Sequence, residues 1–308
     1  MKTAAIVAAL VPLAIVYSGQ APQFRASTSL VRLEVSVTSD RGAVQGLQND
    51  DFIVEDRGAR QVVKVEESAD VPLDLVLVAQ PMSSVAYISA DETARVAAGL
   101  SAFLGQVQDR DRLAALVAGA PPTRLRPLEF GRPSFNVAAF SGGDYAAPLD
   151  AIAAALREFD ASGRRRALVA FTNAADFRST VSFEWLAEMA RRLGPAFVLV
   201  GTPVKIQDEA QTRAVLAGGE RTIGNAVAAV SGYVFPARLQ LLSRRTGGIT
   251  VNLGSGAPSQ LMADMFAWLR TQYVISYEPP IGKGWHPVTI TVKRRGARVT
   301  VREGYFVD

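Results

Sequence analysis

From residue 72 onward the chain repeats an alternation that few folds accommodate: short runs apolar at nearly every position, separated by longer stretches with apolar residues three and four apart. The runs are Leu73–Val78, Leu113–Val117, Ala167–Phe171, Phe197–Val200 and Ile249–Val251. The longer stretches are Asp91–Val107, Pro148–Phe159, Phe183–Leu193, Pro236–Arg245 and Ser259–Thr271. A strand with no polar face must be covered on both sides, the condition of a parallel sheet between two layers of helix. Crossovers between parallel strands are right-handed, so residues 72–271 are predicted to form an open, doubly wound, mostly parallel α/β domain.

On either side of this region the apolar period falls to two. Val31, Leu33, Val35 and Val37 alternate with Arg32, Glu34 and Ser36, and the turn Ser39-Asp40-Arg41-Gly42 ends the run. Phe52–Glu55 then passes through Asp56-Arg57-Gly58 into Gln61–Val65. After Gln272 come Tyr273–Tyr277, Val288–Lys293 and Arg298–Arg302, punctuated by Pro279-Pro280 and Arg295-Gly296. Residues 28–68 are too few to bury much apolar surface alone, so they are expected to pair with residues 272–308 as one discontinuous antiparallel β module. The acidic pairs Asp50-Asp51, Glu55-Asp56 and Glu66-Glu67 are expected on its polar face. Tyr273, Tyr277, Trp285, Tyr305 and Phe306 are expected in its core; the sharper alternative is an exposed patch for an extended peptide or glycan. The glycine-rich segment 218–232 is expected to be the most mobile part of the chain.

With 49% hydrophobic and 20% charged residues the balance is that of an ordinary globular protein with material for a real core. The net charge of +4 is not gathered into a stripe. Arg164 to Arg166, Arg191-Arg192, Arg244-Arg245 and Arg294-Arg295 fall at element ends and are expected as solvated rims, and no nucleic-acid motif accompanies them. Residues 1–21 read as a secretory signal, with Lys2, an apolar stretch from Ala4 to Tyr17, and small residues at Ser18, Gly19 and Ala21. That stretch is interrupted by Pro12 and falls short of the ~20 residues a membrane helix needs, so export to periplasm or medium without a stable anchor is expected. With no cysteine there is neither a lipid-anchor site nor a disulfide.

The same absence removes cysteine nucleophiles, and the single histidine, His286, has no acid or nucleophile beside it in sequence. Ser-His-Asp and Cys-His hydrolysis and histidine-rich zinc sites are disfavoured, and a packing or turn role is expected for His286. No nucleophile elbow, P-loop or dinucleotide fingerprint follows a strand. The expectation is therefore a non-enzymatic chain with no cofactor. Carboxylates that meet only in space keep a hydrolase as a third reading.

Several short motifs fall in one family's order. Gly46-Leu47, Asp51-Phe52-Ile53-Val54 and Gly58 resemble an opening GL-x-x-x-DF-x-V-x-E-D-G, whose Glu-Asp pair is approximated by Asp56-Arg57. Asp111-Arg112, Thr246-Gly247-Gly248, Tyr273-Val274-Ile275-Ser276-Tyr277-x-Pro279, Trp285-His286-Pro287-Val288 and Gly304-Tyr305-Phe306 follow. Together they resemble the secreted von Willebrand factor A-related proteins first grouped from acidobacteria, over essentially the whole mature chain. The resemblance implies the von Willebrand factor A fold, and it implies no activity.

In that fold the carboxyl ends of two strands carry Asp-x-Ser-x-Ser and Thr-Asp-Gly and hold a divalent cation that a partner's carboxylate completes. The matching stretches here are Ala79-Gln80-Pro81-Met82-Ser83-Ser84 and Thr172-Asn173-Ala174. The first aspartate falls on Ala79 or Gln80, the serines on Pro81 and Ser83 or on Met82 and Ser84, and the second aspartate on Asn173. The family's threonine falls on Asp144 or Ala146. Mg²⁺ is ordinarily held by one or two carboxylates, so a site stripped of both is expected to bind no metal. The counter-reading is a displaced site built from Asp144, Asp176 and Ser83 or Ser84. The expected function is an exported protein-binding module whose surface is this edge: Gln80, Ser83, Ser84, Asp144, Asn173 and Asp176. The alternative is an envelope scaffold or adhesion-like protein assembling through free strand edges.

Overall fold

The computed structural model describes residues 30–67, 71–81, 89–141, 146–160, 163–173, 178–202, 204–205, 233–234 and 237–307. The amino-terminal strands are β1 (Val31–Ser39), β2 (Gly42–Ala43), β3 (Phe52–Asp56), β4 (Ala59–Arg60) and β5 (Lys64–Glu67). The middle of the chain runs β6 (Leu73–Ala79), α1 (Ala90–Gln106), β7 (Arg112–Val117), β8 (Thr123–Phe130), α2 (Pro148–Leu156), β9 (Arg165–Phe171), α3 (Phe183–Leu193) and β10 (Ala196–Gly201). A two-residue pair, β11 (Val204–Lys205) and β12 (Tyr233–Val234), precedes α4 (Ala237–Arg245), β13 (Thr250–Asn252) and α5 (Pro258–Arg270). The chain closes with β14 (Tyr273–Tyr277), β15 (Gly284–Val292), β16 (Arg298–Thr300) and β17 (Gly304–Val307). The segment 218–232 and the proposed signal, residues 1–21, lie outside the described residues.

The central sheet is mixed and mostly parallel, in the order β13-β10-β9-β6-β7-β8, with β8 antiparallel to β7 at one edge. Alternate residues of β6 feed two cores. Leu73, Leu75, Leu77 and Ala79 pack with Phe103 of α1 and Phe266 of α5. Val76 and Val78 pack with Ile152 of α2, Leu186 of α3 and Leu242 of α4. A strand buried on both faces is apolar nearly throughout, Asp74 of β6 being buried with arginine partners, which is why these runs are readable. The edge strand β8 was not predicted: it carries Arg124, Arg126 and Pro127, which an edge tolerates and a central strand does not.

Helix ends follow local chemistry. Ser89 accepts from Glu92 N while the Glu92 side chain reaches back to the Ser89 backbone, closing a capping box on α1. Ser182 caps α3, which stops at Gly194 with φ of 72°.

The first and last strand groups pair across more than two hundred residues of chain. One sheet runs β16-β1-β14-β5, with β2 beside β1; the other runs β17-β15-β3-β4. Val31 lies opposite Tyr277 and Asp56 opposite Val288. Their shared core holds Leu33, Val35, Phe52, Val54, Tyr273, Ile275, Tyr277 and Tyr305.

This module meets the amino-terminal ends of β9 and β10. Arg165, which begins β9, is buried and donates to the carbonyl of Leu269 and the side chain of Gln272, with Glu34 Oε2 3.7 Å away. Burial pushes the Glu34 carboxyl up, and Arg165 and Arg166 oppose that shift. Arg302 donates to the Arg191 carbonyl, and burial, with Arg166 adding repulsion, pulls its guanidinium down to about 10. A Cβ on Gly248 would sit 1.9 Å from the Phe197 carbonyl oxygen, so only glycine fits where the chain turns into β13.

Several arginines expected as solvated rims are instead part of this framework. Arg191 stacks over Trp285 at 3.9 Å and Arg192 over Phe306 at 4.1 Å, fastening α3 to the module. Arg164 donates to Asp74 Oδ1 at 2.6 Å. The expectation of a polar face also fails at Asp56, which is completely buried. Period-two alternation places Asp56 on the face of Phe52 and Val54, because Ile53 and Glu55 take the other.

Candidate binding edge

The carboxyl ends of β6 and β9 face away from the β module. Gln80 continues the pairing of β6 one residue past its end, its N–H donating to the Phe171 carbonyl at 2.9 Å. Thr172 does the same past β9, donating to the Val200 carbonyl at 3.0 Å. Side chains two apart share a face, so Gln80 follows Val76 and Val78, and Thr172 follows Leu168 and Ala170, onto the α2 side of the sheet. There they meet: the Thr172 hydroxyl donates to Gln80 Oε1 at 2.7 Å, with Gln80 6% and Thr172 4% exposed. Of the two placements the sequence leaves for the first acidic ligand, Ala79 packs into the core under α1 and α5, and Gln80 holds the position at the edge.

The other Gln80 head atom, Nε2, is buried and has no hydrogen-bond partner. The described residues around this pair are neutral and mostly small. Pro81 is buried beside Gln80; the Ala118 N–H donates to the Ala79 carbonyl at 2.8 Å, and the Ala147 N–H donates to the Ala118 carbonyl at 2.9 Å. Ala146, one of the two positions open for the family's threonine, bridges to Gly119 and is buried; it offers no side-chain oxygen. Asn173 is half-buried at the rim. Ser179 ties the chain after β9 to the start of α2, accepting from Leu149 N at 3.1 Å and Asp150 N at 3.2 Å. Ser83, Ser84, Asp144 and Asp176 lie outside the described residues. Thr172 was not singled out from sequence, although its parity with Gln80 past two neighbouring strands was the available signal.

A divalent cation needs oxygen ligands and carboxylates to offset its charge. The described part of the edge presents the Gln80 and Asn173 amides and the Thr172 hydroxyl without a carboxylate, a set that does not offset the charge of such an ion. Among the described residues no group of three His, Asp or Glu side chains is arranged to hold a metal.

A second polar cluster lies inside the β module. His286 Nδ1 is 2.9 Å from Asp56 Oδ1, and Nε2 is 2.9 Å from the Gly282 carbonyl. Asp56 Oδ2 accepts from Tyr277 OH at 3.0 Å and from Tyr305 OH. Burial pushes both tyrosine hydroxyls upward; for Tyr277 the bond to Tyr305 adds to this, and for Tyr305 the bond to Asp56, so both remain neutral donors near neutral pH. Sequence spacing hid this group, since Asp56 and His286 are 230 residues apart. Both ring nitrogens are engaged and both residues are fully buried, so neither is placed to meet a substrate.

No family model matches the chain, and no curated protein matches it. Solved structures similar to it include von Willebrand factor type A from Catenulispora acidiphila: 11% identity, TM-score 0.42, covering 92% of this chain and 76% of that one. BatB from Bacteroides thetaiotaomicron is similar at 16% identity and TM-score 0.41, covering 64% of this chain and 99% of that one. An aerotolerance-related membrane protein from Bacteroides fragilis is similar at 14% identity and TM-score 0.42, covering 64% and 98%. Among the described residues no helix is long and apolar enough to cross a membrane.

Proposed function

We propose that the chain is an exported, non-enzymatic protein-binding module: a doubly wound von Willebrand factor A-related domain whose edge contacts its partner without a metal. The observation that carries this is the buried Gln80–Thr172 pair, an amide where a cation site needs a carboxylate. The crevice at the carboxyl end of such a sheet follows from the fold, so the surface remains available when the ion is lost. The strand-edge scaffold is the weaker alternative, for a physical reason. The described outer strands are guarded: β5 carries Lys64, Glu66 and Glu67, β8 carries Arg124, Arg126 and Pro127, and β4, β13, β16 and β17 span two to four residues.

Capture of envelope proteins on the immobilised full chain tests this. Capture is expected to persist in EDTA and to fall about tenfold or more in Asn173→Arg, which places bulk and charge on the rim. Loss of capture in EDTA would contradict the metal-free contact, and indifference to Asn173→Arg would contradict the edge.

A further inference from the structure

Leu30, Val62, Phe130, Trp185 and Ile281 are the large apolar side chains left exposed among the described residues, and three of them share one end of the β module. Pairing places them there. Val31 lies opposite Tyr277 and Lys64 opposite Ser276, so the same antiparallel register carried one and two residues further sets Leu30 and Val62 on either side of Glu278. That row lies on the outer face of the sheet, since Val31, Tyr277 and Val63 turn to the module core. Ile281 follows Glu278 by way of Pro279-Pro280, in the connection from β14 to β15. Val62 is 95% exposed and Ile281 103%, so they project as tips and are not walls of a groove. Exposed Arg57 and Lys283 stand beside Ile281, with Arg57 Nη2 donating to the Lys283 carbonyl at 2.9 Å; Glu278 is the acid within the row.

We infer that this end of the β module rests on an anionic phospholipid bilayer, with Leu30, Val62 and Ile281 entering its interfacial layer and Arg57 and Lys283 at the headgroups. A protein partner draws its affinity from anchors seated in pockets, which single protruding tips do not provide. The interfacial layer of a bilayer takes apolar tips without matching their shape, and basic residues beside them favour anionic headgroups. Continuity of the chain names the same occupant. Residues 1–29 lead directly into Leu30, and their apolar stretch Ala4–Tyr17, read as a secretory signal, engages the membrane during export. Residues 18–29 reach at most ~40 Å, so export delivers this end of the module to the bilayer surface. The inference rests on the export part of the reading above and is independent of the carboxyl edge, which faces away from the module and stays open to a partner.

The chain has no cysteine, so Ile281→Cys and Val62→Cys each place one environment-sensitive nitrobenzoxadiazole label on the full chain. Arg295→Cys, beyond the other end of β15, places a control, and all three substituted side chains are exposed, so the fold is not disturbed. The probe is vesicles of phosphatidylglycerol and phosphatidylcholine, with and without a spin-labelled lipid. The expected result is a blue shift at Ile281→Cys and Val62→Cys that the spin label quenches, about tenfold more lipid being needed when the vesicles are pure phosphatidylcholine, and no change at Arg295→Cys. Vesicle binding that leaves the first two labels in water, as when residues 4–17 alone hold the chain, overturns the inference, and so does no vesicle binding. An equal change at Arg295→Cys overturns it too. A blue shift that grows with protein concentration without vesicles shows that a second copy covers the tips and overturns the lipid surface, and equal response to pure phosphatidylcholine overturns its anionic character. Capture in EDTA is read separately, so failure here leaves the edge reading standing.

Discussion

Asp56→Ala is expected to lower unfolding stability by about 3–5 kcal/mol, because three buried donors lose their acceptor and each stranded donor costs about 1–3 kcal/mol. Asp56 is fully buried and serves three partners at once: the imidazole of His286 and the hydroxyls of Tyr277 and Tyr305. Alanine strands all three inside the core of the β module, and each stranded donor carries its own desolvation cost. The loss also propagates along the chain, because His286 Nε2 anchors the Gly282 carbonyl in the turn before β15. Asp56→Asn keeps an acceptor oxygen and a similar shape, so it is expected to lose less than Asp56→Ala. Urea unfolding of both variants checks this, and a loss under about 1 kcal/mol for alanine would show that the cluster is not needed for the fold.

Asp74→Ala is expected to have a comparable effect at the amino-terminal end of the central sheet. Asp74 is fully buried, and its Oδ1 accepts from Arg112 Nε at 2.8 Å and from Arg164 Nε at 2.6 Å. Without it two mostly buried guanidinium groups face each other, Arg112 keeping only Asp160 among its described carboxylate partners. Removing the shared carboxylate of a buried ion pair typically costs about 3–5 kcal/mol. Exchanging Asp74, Arg112 and Arg164 together for leucines removes the charges as well as the pairing and is expected to cost less than the single change. Denaturation midpoints compared across the two variants decide the matter; a triple variant weaker than Asp74→Ala would contradict the electrostatic account.

These two aspartates also mark where the sequence stopped being legible. The strands β6, β7, β9, β10 and β13 and the five helices fall within a few residues of where the hydrophobic period places them, because burial on two faces leaves few polar residues to blur the signal. Strand β8 carries no such run: it sits at a sheet edge, where pairing with β7 supplies the strand and composition does not. The pairing of terminal segments was inferred from the shortness of each, whereas its polar core was invisible, since Asp56, Tyr277, His286 and Tyr305 meet only in three dimensions. Arginines read as rims proved structural for the same reason. Charge in sequence suggests solvent, and only the fold reveals that Asp74, Trp285 or Phe306 lies beneath.

At the edge the outcome was mixed. Gln80 was named from sequence as one of two placements, and side-chain parity brings it to Thr172, which the sequence placed in the matching stretch but not among the site residues. The orphaned Nε2 was beyond sequence reasoning altogether, because satisfaction of a polar atom depends on every neighbour around it.

Isothermal titration of the full chain with Mg²⁺ and Mn²⁺ tests the central claim most directly. With glutamine and asparagine at the two strand ends, no saturable heat is expected from either ion at millimolar concentration. A saturable heat that disappears in Asp144→Ala would contradict the account, because a carboxylate elsewhere on the edge would then be holding the metal.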